Sequence, residues 1–318
     1  MPDEDKPVLV IGSVNMDLVA RCECLPERGQ TIMGRDFFTA AGGKGANQAV
    51  AAARLGARVS LAACVGRDTF GEVLVAGLRD AGIGTEDVVS ADGPTGTALI
   101  TIDAGGANTI VVISGANLAC DAPLVDRALA HAGGPGILLL QHEIPAEANA
   151  RAIRAAQQAG WYVMLNPAPA RPIPPDLLPL LHLVTPNETE AAAIAGRPVA
   201  GRADALAAAR ELLAMGARGV VVTLGGDGAI YCEGSRAWHC PAVPVAAVDT
   251  TAAGDAYIGA LAAALAAQMT VTECLGFASA AAALSVTRLG AQPSLASRVE
   301  LAAFISQHGM PVAQLLAG

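Results

Sequence analysis

The sequence predicts an α/β fold: a mostly parallel central sheet flanked by helices, with a small β-strand lid. Three observations predict it. Short apolar runs, often β-branched, alternate with longer helical runs, the pattern of βαβ units. The short runs are apolar throughout, so each reads as a strand buried on both faces, as parallel strands are. Two stretches, Leu18–Ala41 and Thr97–Ser114, carry alternating strand-like residues with no helix between. They predict antiparallel strands outside the main sheet, serving as a lid or as a surface for a second copy.

In chain order, the buried strands are Val8–Gly12, Arg58–Val65, Gly136–Gln141, Trp161–Asn166, His182–Thr185 and Gly219–Leu224. The runs that separate them predict helices at Lys44–Leu55, Phe70–Ala81, Pro123–Ala132, Ala146–Ala159, Glu188–Ala195, Ala203–Met215 and Asp255–Ala267. Residues 166–179 hold six prolines and must be extended or turned. Residues 229–240 look like further strands. With no repeat and no linker, 1–318 reads as one domain, its lid strands drawn from 18–41 and 97–114.

Composition narrows the function. Apolar residues make up 53% of 318, enough for a large core, but aromatics only 3%, so Ala, Val, Leu and Ile build it. The net charge is −9 with no basic stripe, which argues against nucleic acid and against an anionic membrane surface. An anionic substrate would have to be held locally, by amides, a metal ion and a few cations. Seven cysteines, with no Cys-x-x-Cys, read as reduced thiols of a cytoplasmic protein. Met1–Lys6 is charged and lacks the apolar region of a signal peptide. The longest membrane candidate, Ala256–Thr272, falls short of the ~20 strongly apolar residues a span requires and reads as a buried helix.

The most informative segment is Asp249-Thr-Thr-Ala-Ala-Gly-Asp255. It lies between an apolar run and an uncharged helical run, so it is a small-residue turn opening a helix, with a carboxylate in the first turn. Free N–H groups and partial positive charge at a helix start suit phosphate. An acid beside them suggests a base next to a transferring phosphoryl group. In Ala41-Gly-Gly-Lys-Gly-Ala-Asn-Gln48 the glycines allow close backbone approach to a ligand. Lys44 is one of two lysines in the chain, and Asn47 lies one helical turn on, able to face the same ligand. A plain capping turn is the alternative. Gly12–Asp17 ends the first strand, where parallel sheets bind ligands, and Asn15 and Asp17 alternate onto one side, suited to a polyol or to an Asx turn. Glu143 closes another strand in the same position, as a ligand or a solvated loop acid. Asn187 and Glu190 share a helix face, fit either for Mg²⁺-bound water and phosphate or for a simple N-cap. Thr223–Gly228 is a strand end with a glycine turn, read equally as a hairpin.

Together these residues resemble the ribokinase-like carbohydrate kinases (the PfkB family), over about Val8 to Ser294. Gly-Gly-Lys-Gly-Ala-Asn and Asp-Thr-x-x-Ala-Gly-Asp, in that order, carry the resemblance, with Asn166-Pro-Ala-Pro-Ala170, Thr185-Pro-Asn-Glu-Thr-Glu190 and Gly290-Ala-Gln-Pro-Ser294. The resemblance implies transfer of the ATP γ-phosphoryl group to the 5-hydroxyl of D-ribose. The alternatives are a 2-deoxyribose or adenosine-type nucleoside kinase, with Phe37 and Phe38 stacking a base, and a non-catalytic sugar-binding protein. It implies Asp255 as base and the amides of Ala252, Ala253 and Gly254 as the anion hole. Asn15, Met16, Asp17, Gly43, Lys44, Gly45, Ala46, Asn47 and Glu143 would hold the sugar. Asn187, the turn Thr223-Leu224-Gly225-Gly226-Asp227-Gly228, Gly254 and Ser279 would line the ATP site. Glu190 would organise Mg²⁺. Asp249, Thr251, Ser285, Arg288, Gly290 and Ser294 would hold K⁺, largely through backbone oxygens, and the lid strands would pair two copies into a homodimer. After Asp255 the family usually has Thr-Phe-x-Gly; here Ala256-Tyr257-Ile258-Gly259 stands instead.

Overall fold

The computed structural model describes residues 5–316. The chain starts with β1 (Val8–Ile11), β2 (Asn15–Arg21), β3 (Asp36–Gly42), α1 (Lys44–Arg54), β4 (Val59–Gly66), α2 (Thr69–Asp80) and β5 (Gly84–Ala91). The lid strands β6 (Gly96–Ile102) and β7 (Asn108–Ile113) follow, then α3 (Ala122–His131), β8 (Ile137–Gln141), α4 (Ala146–Gln158), β9 (Tyr162–Asn166) and β10 (Leu183–Val184). Next come α5 (Glu188–Ala195), α6 (Arg202–Ala214), β11 (Gly219–Thr223), β12 (Ala229–Glu233) and β13 (Arg236–Cys240). Helices α7 (Ala253–Ala266), α8 (Val271–Ser285) and α9 (Arg298–His308) and the short β14 (Gln314–Leu315) end it.

The main sheet runs β14-β13-β12-β11-β10-β9-β8-β1-β4-β5, parallel from β5 to β11 and antiparallel beyond. The strand β11, the glycine turn and β12 form the hairpin anticipated for residues 223–240. Alternate residues of each central strand enter different cores. Val8, Val10, Ile137 and Leu139 pack under α1, α7 and α8. Leu9, Ile11, Leu138 and Leu140 pack under α3, α4 and α6. Burial on both faces is why these strands read as unbroken apolar runs. From β1 the chain first builds one side of the sheet, β4 and β5, and later returns to the other side of β1 as β8. The order therefore reverses between β1 and β8, and a crevice opens at their carboxyl ends.

Each predicted strand and helix forms, with ends shifted by one or two residues. Two readings are corrected: the lid is a mixed sheet, because β2 and β6 pair in parallel where antiparallel strands were expected, and Asn15 and Asp17 do not extend the first strand. Residues 12–14 leave the main sheet, and Asn15 begins β2 of a separate lid sheet ordered β3-β2-β6-β7. Within Leu18–Ala41 only the two ends are strand; no strand spans 22–35.

Candidate active site

Five parts of the chain meet at the crevice: the exits of β1 and β8, the lid, and the N-termini of α1 and α7. Gly43 starts α1 with φ 88°, and a Cβ there would come within 2.7 Å of the Asn15 nitrogen, so glycine is required. Gly43 offers α1 no side-chain cap. The cap comes from across the crevice. Glu143 Oε2 accepts from the Lys44 N–H at 3.0 Å and from the Ser13 hydroxyl at 2.5 Å, while Ser13 Oγ accepts from the Gly45 N–H at 3.2 Å. An acid at the positive end of α1 is thereby fixed beside Lys44.

A cavity of about 700 Å³ opens here, with Asn15, Asp17, Gly43, Lys44, Asn47, Glu143 and Asp255 in its wall and the lid residues Ala98, Ile100, Ile110 and Val112 above. Asn117, on the turn after β7, donates to Asn15 Oδ1 at 2.7 Å, which leaves the Asn15 amide nitrogen as the free end. Burial, then Glu143 and Asp255, push the Asp17 carboxyl up to about 7. Burial works against the Lys44 ammonium, but Asp255, Glu143 and Glu190 outweigh it and hold its pKa above the usual value.

Asp255 lies in the first turn of α7 and is 7% exposed. Asn47 Nδ2 donates to its Oδ2 at 3.0 Å and Gln48 Nε2 to its Oδ1 at 2.9 Å. The residue before α7, Ala252, is left-handed at φ 59°, a conformation that costs a non-glycine residue on the order of 1 kcal/mol or more. This turn leads the chain into the first turn of α7 at the cavity wall. The Ala253 N–H donates to the Thr250 carbonyl at 3.2 Å and so closes this turn.

A smaller cavity of about 180 Å³ continues past Lys44, Asp255 and Gly254 to Asn187, Glu190 and Thr223. Asn187 and Glu190 do form a capping box. Glu190 nonetheless faces this cavity, its pKa raised by burial against the pull of the Asn187 N–H and of Lys44. Beyond lies a third cavity of about 340 Å³, bounded by Gly225, Gly226, Gly228, Gly254, Tyr257 and Ser279, with apolar Val243, Val245, Ala282 and Val286. Thr223, Thr250, Ala253 and Gly254 belong to both. Polar, small and apolar spaces thus follow one another, with Asp255 at the junction of the first two.

The loop expected to hold a monovalent cation is tied together by Asp249. Its Oδ1 accepts from the Thr251 N–H at 2.9 Å and its Oδ2 from the Gly290 N–H at 2.8 Å. Arg288 turns its guanidinium to Glu300 at 2.8 Å; Ser285 and Ser294, fully buried, donate to the carbonyls of Ala282 and Ala291. Among the described residues no group of three or more His, Cys, Asp or Glu side chains converges as a metal cage.

Five expected contacts do not reach the cavities with their side chains. Met16 alternates away from Asn15 and Asp17 into the core. Gly45 lies against Gly12 and Ser13, and Ala46 is buried in the core. Leu224 packs in the opposite core, and Asp227 lies outside the third cavity that its glycine neighbours line. Residues not anticipated as site groups include Ser13, Gln48, Asn117, Gln141 and Asn166. The signal for the last two was a polar amide ending an apolar strand.

Comparison with known proteins gives the family and the fold. A family model described as pfkB family carbohydrate kinase matches residues 5–298. A ribokinase of Haemophilus influenzae is 38% identical over 301 residues, 94% of this chain and 98% of that one. A ribokinase of Schizosaccharomyces pombe is 39% identical over 306 residues, 92% of this chain and 96% of its own. Among solved structures, Arabidopsis thaliana ribokinase complexed with ribose and ATP superposes with a TM-score of 0.86 at 34% identity, covering 94% of this chain and 98% of that chain. Thermotoga maritima ribokinase gives 0.86 at 35% identity, covering 95% and 99%. With a cavity that brings together Asn15, Asp17, Lys44, Asn47 and Glu143, an acid at a helix N-terminus and a family model matched almost end to end, this chain belongs to the pfkB family of carbohydrate kinases.

Proposed function

We propose that this protein is an ATP-dependent ribose kinase, moving the γ-phosphoryl group to the sugar's 5-hydroxyl to give ribose 5-phosphate and ADP. One observation carries the reading: Asp255 is shared by the polar cavity and the narrow passage beyond it, at a helix N-terminus. Ribose would lie between Asn15, Asp17, Lys44, Asn47 and Glu143. ATP would enter from the cavity bounded by the Gly225–Gly228 turn and Ser279, its γ-phosphate meeting the start of α7 and Lys44. Asp255 takes the hydroxyl proton as the bond to phosphorus forms, while Lys44 and the helix end offset the charge on the phosphoryl oxygens. Glu190 and Asn187 would hold Mg²⁺ through water, and the ion supplies charge neutralisation and alignment of the phosphates.

Phe37 and Phe38 lie on the lid but outside the cavity wall, which counts against their stacking a nucleoside base. The Asp249 loop is read as a K⁺ site that braces the turn entering α7, because Asp249 joins residues 249–251 to 290. The exposed apolar lid supports a homodimer through these strands. The free cysteines, six buried and Cys24 exposed, suit a reducing cytoplasm.

The test is ADP release with ribose, 2-deoxyribose, adenosine and fructose, each with K⁺ and with a bulky organic cation. Ribose is expected to be preferred, and activity to fall without K⁺. A preference for adenosine, or binding of sugar without ADP release, overturns the substrate reading; indifference to the cation overturns the K⁺ site. Asp255→Asn should lower kcat by about 10²–10⁴-fold, as loss of a positioned base does, while calorimetry still shows ribose binding.

A further inference from the structure

Behind Asp255 lies a chain of buried amides that the mechanism above does not use. Gln48, on α1, is fully buried. Its Nε2 donates to Asp255 Oδ1 at 2.9 Å and to Asn166 Oδ1 at 3.0 Å. Its Oε1 accepts from Gln141 Nε2 at 2.7 Å. Asn166 is in turn fixed by donating to the Thr185 carbonyl at 2.9 Å. Four elements therefore converge on one side chain: α1, α7 and the carboxyl ends of β8 and β9. Gly12, at the end of β1, leaves room for the arrangement, because a Cβ there would collide with Gln141 Oε1.

The direction of the chain matters. A primary amide can face either way, and the wrong way would set the Gln48 carbonyl oxygen against the Asp255 carboxylate. The Asp255 carboxylate can only accept, so it faces the Gln48 Nε2, and Gln141 Nε2 meets the Gln48 Oε1 left on the other side. Asn166, presenting its own carbonyl oxygen, selects the same orientation.

We propose that Gln48 is a positioning residue for the phosphoryl-transfer base, held by Asn166 at its nitrogen and by Gln141 at its oxygen. This rests on the kinase reading and on Asp255 as its base. Gln48 is absent from the walls of all three cavities, so it acts through Asp255 alone. With Asn47 holding the other oxygen, it fixes the carboxylate plane toward the sugar hydroxyl. A base misplaced by about 1 Å costs on the order of 100-fold in rate.

The experiment compares Gln48→Met and Gln141→Met, singly and together, with the parent protein. Steady-state kinetics are measured from pH 5.5 to 9, ribose affinity by calorimetry and folding by thermal melting. Gln48→Met should lose about 10- to 100-fold in kcat, move the acidic limb of the kcat profile to higher pH, and change ribose Kd by less than about threefold. Gln141→Met should lose less, in the same direction, and the double variant should be no slower than Gln48→Met, because both changes act on one contact. Gln48→Glu keeps the shape but replaces the donor with a second acid, and should not rescue kcat. If Gln48→Met does not fold, the kcat profile of Gln141→Met decides. Unchanged kcat and pH profile in the folded variants overturn the proposal. So does a loss matched by an equal weakening of ribose binding, which marks a purely structural role. A parent protein with no sugar-dependent ADP release fails earlier and overturns the kinase reading itself.

Discussion

At the scale of single residues, Asp17 makes the sharpest claim on pH. Its carboxyl is pushed up to about 7 by burial first and by Glu143 and Asp255 next. An ionised Asp17 accepts two sugar hydroxyls, whereas the protonated acid loses acceptor capacity. Ribose binding should therefore strengthen as pH rises from 6 to 8, by at most about tenfold per unit, and Asp17→Asn should bind weakly with a flat profile. A parent profile as flat as the variant's would refute this role. Stability runs the other way. A raised acid pKa contributes stability below the unfolded value near 4 that is lost as pH rises through about 7. Without ligand, Asp17→Asn should accordingly gain more in Tm at pH 8 than at pH 5. The residue types of this site were legible wherever chemistry and spacing coincide, as at Asp255, Lys44 and Glu143. Gln48 and Asn117 were not, because their importance lies in contacts to Asp255 and Asn15 more than a hundred positions away, set only by the fold.

Among elements, the pairing of α1 with α7 fixes the geometry of catalysis, since one carries Lys44, Asn47 and Gln48 and the other Asp255. The two helices approach closely at Gly259, where a Cβ would stand 2.5 Å from Ala51 Cβ and 2.6 Å from the Gln48 carbonyl oxygen. Gly259→Ala should wedge the helices apart, costing about 1–3 kcal/mol by overpacking, visible as a fall of several degrees in Tm. It should also lower kcat more than it weakens ribose binding, because the base moves relative to the phosphate passage. A variant that melts normally and turns over normally would show that this contact is slack. Strands β1, β4 and β8–β11 were legible because burial on both faces leaves an uninterrupted apolar run. The edge strand β5 was not: its GTEDVVSA sequence mixes exposed and buried positions and resembles a loop. Helix α8 escaped for the opposite reason. Its residues are small and apolar on nearly all sides, and it is wedged beside α7, so no polar face marks its period. Helix α9 carried a capping box, Ser297 with Glu300, that identifies its start once the helix is known.

Over the whole molecule, the lid is the part whose surface is least accounted for by a single copy. The row Phe38–Val19–Ile100–Ile110 crosses the four strands in register on the face toward the sugar cavity. Phe38 is 40% and Ile110 55% exposed, and Val112 beside them 49%. Val19 in this row is buried, but exposed apolar side chains such as its neighbours on an open sheet face are costly to leave uncovered and mark an association surface. A second copy related by two-fold symmetry would cover both lids at once, each face meeting the same face of its partner. It would also limit how far each lid can swing from its sugar. The parent protein should therefore sediment as a dimer at micromolar concentration. Phe38→Asp places a charge in the row without entering the cavity wall, and Arg21, whose guanidinium lies 5.5 Å from the Phe38 ring centre, gives that charge a partner within the monomer. The variant should fold and sediment as a monomer, with KM for ribose raised several-fold and kcat at saturation much less affected, since Asp255 and the α1–α7 pair are untouched. A monomeric parent, or a variant that still sediments as a dimer, would show that the pair does not form through this face.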